Sequence, residues 1–555
     1  MKYLLVFLVC SAAVFAASEV PLLRKQGTAT QLIVNGQPFL MRGGELDNSS
    51  GEPEYLRKYW PKLKALNMNA VVAPIYWHVI EPAEGKFDFA TVDGLVSDAR
   101  ANGMRLVLLW FGTWKNSMSC YAPDWVKRDT QRFPRSVSAA GVKMEILSPF
   151  SASNREADVR AFSALMKHLR ETDTERTVVM IQVENEIGMI PDARDHSADA
   201  DRLFAGKVPA ELTGYLSKHA AELAPELRAA WLSAGGKTTG TWEEVFGKGA
   251  TAEEIFMAWH FGAYTQVVAA AGKAEYPLPM YANAALIRPG YQPGQYPSAG
   301  PLPHLIDVWR AAAPALDFIA PDIYFAGKFA EWTKLYTRSG NPLFIPETLR
   351  SPDASVNVLY AFGAHDAIGF SPYAIEAISE PGESMLTKSY DLVAQLTPLL
   401  VENQGKGTTA GFLQESIESK QPQQVRLGGW TINATFERTT GNALADGLSI
   451  AVGTENTMMS VGGGAARPAF VLPSGGLAIF LGQDEFIFAG TGLVLTFSTN
   501  EAGLQPGILS VEEGRFADGK WQHIRWLNGD QTHQGRHVRL ESGRFTIQRV
   551  KLYRY

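Results

Sequence analysis

Short apolar runs alternate along this chain with longer segments in which apolar residues recur at helical spacing. We interpret eight such runs as strands, at 40–45, 70–76, 105–110, 178–183, 279–283, 318–324, 343–347 and 367–373. Segments with helical spacing follow them, at 53–66, 91–101, 154–169, 195–271, 305–312, 328–337, 356–363 and 389–400. Continuous apolar runs are typical of strands buried on both faces of a parallel sheet. The alternation therefore predicts an α/β fold, a (β/α)8 barrel.

The two ends of the chain have a different pattern of apolar and polar residues. Residues 31–34 and 37–40 flank Asn35-Gly36, which predicts a tight hairpin ahead of the barrel. Beyond residue 402 the helical periodicity stops and short alternating runs separated by turn residues begin, which indicates an all-β sandwich. We expect a barrel over 18–401 and a sandwich over 402–555. A doubly wound open sheet is the alternative, although no glycine-rich phosphate loop follows the first run.

The first residues are typical of a secretory signal peptide. Met1-Lys2 precedes an apolar run over 3–15, and the small residues Ala16-Ala17-Ser18 follow. We therefore expect a signal peptide over 1–17 and an exported bacterial protein, periplasmic or extracellular. The run is shorter than the roughly 20 apolar residues that a membrane span needs, so no span is expected.

Charge and cysteine content narrow the chemistry. The net charge is −6 and no basic block is present, so nucleic acid is not an expected partner. One cysteine, Cys120, remains after the signal, which excludes an internal disulfide and a multi-cysteine zinc cluster. We expect neither a metal nor a cofactor.

Two of the predicted strands end on carboxylates. Glu184-Asn185-Glu186 follows the fourth run, and Glu347 ends the seventh. An unpaired buried charge is costly, so such strand ends should open into a site. A retaining glycosidase needs two such groups, an acid/base (Glu186) and a nucleophile (Glu347), with Asn185 reaching the sugar 2-hydroxyl. Glu184, on the same face but deeper, is expected to be structural, and Tyr324 is expected to donate a hydrogen bond to Glu347.

These residues resemble glycoside hydrolase family 35, the retaining β-galactosidases of clan A. The resemblance covers about residues 31–400 and rests on Gly44-Glu45, the stretch from Trp77 through Glu81-Pro82, residues 182–188, and Glu347. Many members carry an acidic residue after the third strand, where this chain has residues 110–116 instead. Trp114 for stacking and Asn116 for hydroxyl recognition are therefore candidates. Glu45 is a candidate acceptor from sugar hydroxyls, and Tyr373 and Glu376 are expected to line the rim.

The resemblance implies a retaining exo-β-galactosidase that acts on plant-derived oligosaccharides or polysaccharides such as xyloglucan side chains. The alternatives are another clan A enzyme, a β-mannosidase or endo-glycanase, and a non-catalytic carbohydrate-binding protein on a decayed barrel. The presence of both catalytic glutamates argues against decay. The oligomeric state is not predicted from the sequence.

Overall fold

The computed structural model describes residues 19–325, 327–415, 421–437, 440–441 and 470–555. The predicted signal peptide lies outside the described residues. Within those ranges, no helix combines the length and apolar character needed to cross a membrane.

Eight parallel strands form a barrel, numbered here as barrel strands 1 to 8. They are Met41–Arg42, Ala70–Tyr76, Arg105–Lys115, Val178–Asn185, Met280–Ala285, Phe318–Ile323, Ile345–Thr348 and Gly369–Pro372. Each pairs with the next from strand 2 to strand 8, and strand 8 pairs with strand 1. Strands 1 and 2 meet where the Val72 amide donates to the Gly44 carbonyl oxygen at 2.9 Å and the Leu46 amide donates to Val72 at 3.0 Å. The predicted (β/α)8 barrel is confirmed.

Helices surround the barrel. They are Pro53–Leu56, Trp60–Ala65, Trp77–Ile80, Ala90–Ala101, Asp124–Arg128, Ala152–Thr172, Ala198–Phe204, Ala210–Lys218, Pro225–Ser233, Trp242–Phe246, Ala250–Glu275, Ile306–Ala312, Phe329–Tyr336, Ala354–His365 and Met385–Asn403. Short 3-10 turns lie at Arg338–Gly340, Ile375–Ala377 and Asp530–Thr532. Side chains such as Val107, Tyr281 and Phe344 fill the barrel interior in one apolar cluster. A second, larger cluster lies between the strands and the helices.

The N-terminal strands Leu22–Gln26, Ala29–Val34 and Gln37–Pro38 form an antiparallel sheet. Its predicted Asn35-Gly36 turn is present, with φ of 51° and 74°, the left-handed values that a type I′ turn requires. Leu32 and Val34 of this sheet join the cluster inside the barrel. The Gln31 side chain donates to the Val401 carbonyl at 2.7 Å, which ties this sheet to the end of the last barrel helix. A separate small hairpin pairs Arg135–Val137 with Lys143–Leu147.

The C-terminal part is all β, as predicted. A six-stranded sheet contains, in spatial order, Thr409–Leu413, Gly475–Gly482, Glu485–Thr491, Thr546–Arg554, Pro506–Ala517 and Lys520–Trp526. A four-stranded sheet contains Gln423–Leu427, Trp430–Phe436, Leu493–Thr499 and Val538–Leu540, and Thr440–Gly441 pairs with Phe470–Val471. Residues of both larger sheets, among them Phe412, Trp430 and Phe486, share one core. We call this part the C-terminal sandwich.

The sandwich packs directly on the barrel. Helix Ala354–His365 lies against strand Thr409–Leu413, and Gly363 allows the close approach, since a Cβ there would lie 2.4 Å from the Ala410 carbonyl oxygen. The face of the six-stranded sheet that points away from the sandwich core contributes residues to the large barrel cluster, among them Ile479 and Ile487. Barrel and sandwich therefore share apolar packing.

Candidate active site

The two predicted catalytic glutamates lie together at the carboxyl end of the barrel. Glu186 directly follows barrel strand 4, and Glu347 lies in barrel strand 7. One carboxylate oxygen of each, and one of Asp322 from strand 6, all lie within 4.8 Å of one another. Carboxyl groups of retaining glycosidases are about 5–5.5 Å apart, whereas inverting enzymes hold them about 6.5–9.5 Å apart. The spacing of this pair matches a double-displacement reaction.

Glu186 is held from both backbone and side chain. Its φ of 45° lies in the left-handed region, which non-glycine residues adopt rarely and mostly at functional sites. Its amide donates to Asn283 Oδ1 at 2.9 Å. The side-chain amide of Asn116 donates to Glu186 Oε2. The Asn116 and Ser117 amides also donate to the carbonyl oxygens of Asn185 and Glu186, each at 3.1 Å. The turn after strand 3 thus fixes the end of strand 4.

Glu347 is buried among other carboxyl groups. Burial, and after it the charge of Glu186, raise the pKa of Glu347 to about 7. Three neighbours oppose that rise: the ammonium of Lys115, the hydroxyl of Tyr324, which donates to Glu347 Oε1, and a side-chain hydrogen bond with Glu45. The predicted Tyr324 hydrogen bond is therefore present. An ionised Glu347 is the form that can attack an anomeric carbon.

Glu45 and Lys115 complete the charged floor of the site. Glu45 is buried at the end of barrel strand 1, and burial, then the charge of Glu347, raise its pKa well above the usual range. A side-chain hydrogen bond with Glu347 raises the pKa of Glu45 further. Lys115 is only 6% exposed, donates to Asn116 Oδ1, and is the cation that lowers the pKa of both Glu45 and Glu347. Sequence reasoning missed this lysine because it treated strand 3 as ending at Trp110.

Asn185 is the residue best suited to meet a sugar hydroxyl. Its side chain is fully buried, yet neither its Nδ2 nor its Oδ1 has a hydrogen-bond partner in the structure. Buried amides are normally paired, so an unpaired one at a site is available to a ligand. This placement accords with the predicted contact to the 2-hydroxyl.

Tyr373 and Glu376 lie after barrel strand 8, further from the glutamate pair. The Tyr373 ring lies edge-on to Tyr324, with 6.3 Å between centroids, and its hydroxyl donates to Asp47 Oδ2 at 3.1 Å. Glu376 is buried and accepts from the Asp47 amide at 3.2 Å. Both side chains hold the loop after strand 1, so Glu376 has a structural contact at the rim.

The stacking role predicted for Trp114 is wrong. Barrel strand 3 extends to Lys115, so Trp114 lies within the strand and not in a loop above it. The side chain has no exposed surface, its indole N–H donates to the Leu147 carbonyl at 3.1 Å, and its ring contacts Phe261 and Tyr264. It belongs to the packing between strand and helix, with no face available to a sugar.

Glu184 lies beneath the site, as expected for a structural carboxyl. Its Oε2 accepts from the Trp114 amide at 2.7 Å, and its φ is 63°. Burial, then the charge of Asp158, raise its pKa well above the usual range. Asp158 itself accepts from Trp110 at 2.9 Å and from Thr113 at 2.8 Å. Sequence reasoning did not single out Asp158, which lies on helix Ala152–Thr172.

Asn283 and Asp322 are two further residues of the site that sequence reasoning missed. Asn283 Nδ2 donates to Asp322 Oδ2 at 2.6 Å, and both residues are 1% exposed. Each is a polar residue in an otherwise apolar strand run, the same signal that identified Glu186. The expectations that no metal and no cofactor take part stay predictions.

Two family models match parts of the chain. Residues 50–258 match the glycoside hydrolase family 42 model, described as Beta-galactosidase, and residues 386–539 match a domain of unknown function, DUF5597. The second match begins within the last barrel helix. A beta-galactosidase from Xanthomonas manihotis is 25% identical over 205 residues, which is 35% of this chain and 31% of that relative. The chain thus covers about a third of the length of that curated relative.

Solved structures with similar folds are more distant. A beta-galactosidase from Bacillus circulans sp. alkalophilus has a TM-score of 0.45 at 14% identity, covering 65% of this chain and 57% of that one. The catalytic domain of beta-amylase from Paenibacillus polymyxa has a TM-score of 0.44 at 12% identity, covering 64% and 98%. With scores below 0.5, neither structure bears on substrate or mechanism.

The resemblance to family 35 is not confirmed, and the model that matches is that of family 42. Over residues 50–258 the chain is related to the clan A β-galactosidases that this glycoside hydrolase model describes.

Proposed function

We propose that this protein is a retaining β-glycosidase that removes terminal β-galactosyl residues. The observation that carries the proposal is the placement of Glu186 and Glu347 on barrel strands 4 and 7, with oxygens within 4.8 Å of each other. The beta-galactosidase description of the matching family model supports galactose as the sugar.

In the first half of the reaction, Glu347 attacks the anomeric carbon while Glu186 transfers its proton to the departing glycosidic oxygen. The bond from carbon to that oxygen breaks as the bond to the Glu347 carboxylate forms. In the second half, Glu186 takes a proton from water, and the hydroxide displaces the Glu347 ester. The anomeric configuration is the same before and after, and Glu186 ends protonated again.

The remaining groups of the site assist this cycle. Tyr324 and Lys115 favour the ionised form of Glu347, which the first step requires. Asn185 offers unpaired polar atoms to sugar hydroxyls. A contact to the 2-hydroxyl that strengthens in the transition state accelerates the reaction and does not only tighten substrate binding.

We further propose that the enzyme is exported and acts from chain ends on plant oligosaccharides or polysaccharides, such as the galactosylated side chains of xyloglucan. The signal-like residues 1–17 motivate the location. The family resemblance motivates the exo action. A screen of aryl β-galactosides, β-mannosides and α-arabinosides, with xyloglucan oligosaccharides and unbranched glucans, separates these substrates by which sugar is released.

The central test combines product stereochemistry with rescue of a nucleophile variant. Proton NMR during hydrolysis of an aryl β-galactoside should show the β-anomer of galactose first. Glu347→Gly should fold but lose nearly all turnover, and azide should restore release of the aryl group with formation of an α-galactosyl azide. Glu383→Gly, at an exposed position, is the control and should retain activity. First appearance of the α-anomer, or full turnover by Glu347→Gly, would overturn the mechanism.

A further inference from the structure

Asn283 and Asp322 link barrel strands 5 and 6 to the backbone of Glu186. Asn283 Oδ1 accepts from the Glu186 amide at 2.9 Å, and its Nδ2 donates to Asp322 Oδ2 at 2.6 Å. An asparagine amide can face either way by shape alone, so its neighbours decide its orientation. The Asp322 oxygen requires the NH2 group on its side, which leaves the Asn283 oxygen facing Glu186.

That orientation matters because the Glu186 amide needs the Asn283 oxygen as its hydrogen-bond acceptor. Glu186 has a left-handed backbone at φ 45°, a conformation that is unfavourable for a residue with a Cβ unless its surroundings compensate. A flipped Asn283 would present NH2 to the Glu186 amide, and two donors would face each other. The Glu186 backbone would then lose its acceptor at the point where its conformation is least favourable.

We propose that Asp322 and Asn283 are positioning residues for the acid/base glutamate Glu186, and that Asp322 acts as a neutral hydrogen-bond acceptor. This inference rests on the proposed function and names a further part of the same site. Asn283 acts through the backbone of Glu186, and Asp322 acts by orienting Asn283, while one Asp322 oxygen also lies within 4.8 Å of carboxylate oxygens of Glu186 and Glu347.

The surroundings of Asp322 favour its neutral form. Burial, and after it the charges of Glu347, Glu186 and Glu45, raise the pKa of Asp322 well above the usual range. The tyrosines Tyr281 and Tyr336 are also buried close to it, and their hydroxyls carry no compensating positive charge. A side-chain hydrogen bond between Asp322 and Glu186 also raises the pKa of Asp322, and a protonated Asp322 can still accept from Asn283 through Oδ2. An asparagine at 322 would offer the same carbonyl acceptor.

The test compares Asp322→Asn with Asp322→Ala on two aryl β-galactosides, one with an activated and one with a poor leaving group. Asp322→Asn should keep kcat/KM within about threefold of the unmodified enzyme. Asp322→Ala and Asn283→Ala should each lower it about 10²-fold on the poor leaving group, the scale of general acid catalysis. The activated substrate, which needs little protonation, should lose at most about tenfold.

A double variant shows whether the two residues act as one unit. Asp322→Ala combined with Asn283→Ala should be no slower than the worse single variant, because either change alone removes the oriented Asn283 oxygen from the Glu186 amide. Asn341→Ala is the matched control. Asn341 is a buried asparagine that lies beside the amino end of strand 6. Its Oδ1 accepts from the Ile319 amide at 3.0 Å, and its Nδ2 donates to the Ile319 carbonyl oxygen at 2.9 Å. Asn341→Ala should lower thermal stability and leave the ratio of kcat/KM on the two substrates unchanged.

Three results would overturn the proposal. Equal losses in Asp322→Asn and Asp322→Ala would show that the charge of Asp322 is what matters. Multiplicative losses in the double variant would show that the residues act separately. Equal losses on both substrates would show a purely structural role. An unmodified enzyme that hydrolyses no glycoside would instead refute the proposed function. The melting temperatures of that protein, of the Asp322→Ala and Asn283→Ala variants and of the double variant would still report whether the pair is coupled.

Discussion

The side-chain amide of Asn116 donates a hydrogen bond to the carboxylate of Glu186, although the two residues lie on different barrel strands. Asn116 has a left-handed φ of 49°, and its side-chain oxygen Oδ1 accepts a hydrogen bond from the Lys115 ammonium. The turn after strand 3 therefore orients the glutamate that we propose as acid/base. This turn occupies the place where many members of the family that the sequence resembles carry an acidic residue.

We expect Asn116→Ala to lower kcat/KM about tenfold, because a hydrogen bond to a charged group contributes about 1.5–3 kcal/mol and part of it is replaced by water. Steady-state kinetics on an aryl β-galactoside measures the loss. Asn433→Ala, on a half-buried position of the sandwich, is the control and should have normal kinetics. Normal kinetics in Asn116→Ala as well would mean that the contact does not orient Glu186 during turnover.

Lys115→Met should move the acidic limb of the pH–activity profile to higher pH. Glu347 must be ionised to attack, and its pKa of about 7 is already held down by Lys115. Removal of that ammonium raises the pKa further, so activity should begin to fall at a pH about one unit higher as the solution is acidified. The profile of kcat/KM from pH 4 to 9 is the measurement. Lys143→Met, at an exposed position, should leave the limb unchanged.

Glu347→Gln should stabilise the protein at alkaline pH. The pKa of Glu347 is raised in the fold, so the folded protein keeps a proton that the unfolded chain loses above about pH 4.5. Stability therefore falls as pH rises through this window and stays lower above about pH 7. Glutamine can still accept from Tyr324 and carries no charge. We expect a gain of about 1–3 kcal/mol at pH 8 and little at pH 4.5, read from thermal unfolding. A gain of equal size at both values would point to packing instead.

Trp114→Ala should act through stability. Truncation of a fully buried tryptophan typically costs about 3–5 kcal/mol because it leaves a cavity. The melting temperature should fall markedly, and Trp114→Phe should fall less. Any surviving Trp114→Ala protein should have its KM for galactosides largely unchanged at low temperature. A raised KM without a loss of stability would restore the sugar-stacking role that the structure argues against.

The barrel was predictable because each of its strands is buried on both faces. Runs such as residues 178–183 carry enough apolar and β-branched residues to be recognised one by one, and eight of them with helical segments between leave few other folds. The glutamate pair was predictable for a related reason, since charge at the end of such a run requires a site. Both inferences use local information.

The rest of the site depends on where strands end and on which strands become neighbours. Strand 3 continues to Lys115, and the apolar residues before it gave no signal of where pairing stops, so Trp114 was placed outside the strand. Asn283 and Asp322 owe their importance to the adjacency of strands 4, 5 and 6 and to a hydrogen bond across two of them. No single segment contains that information.

The packing of sandwich on barrel has a consequence for how the protein loses its structure. Ile479, Ile487 and Ile547 of the six-stranded sheet lie in the same apolar cluster as the barrel helices. A chain truncated before residue 409 would expose the apolar face of helix Ala354–His365 to solvent, and such a fragment should aggregate. We therefore expect barrel and sandwich to unfold together, in a single calorimetric peak. Exchange of the sandwich between enzymes would then require redesign of the apolar interface between the two parts.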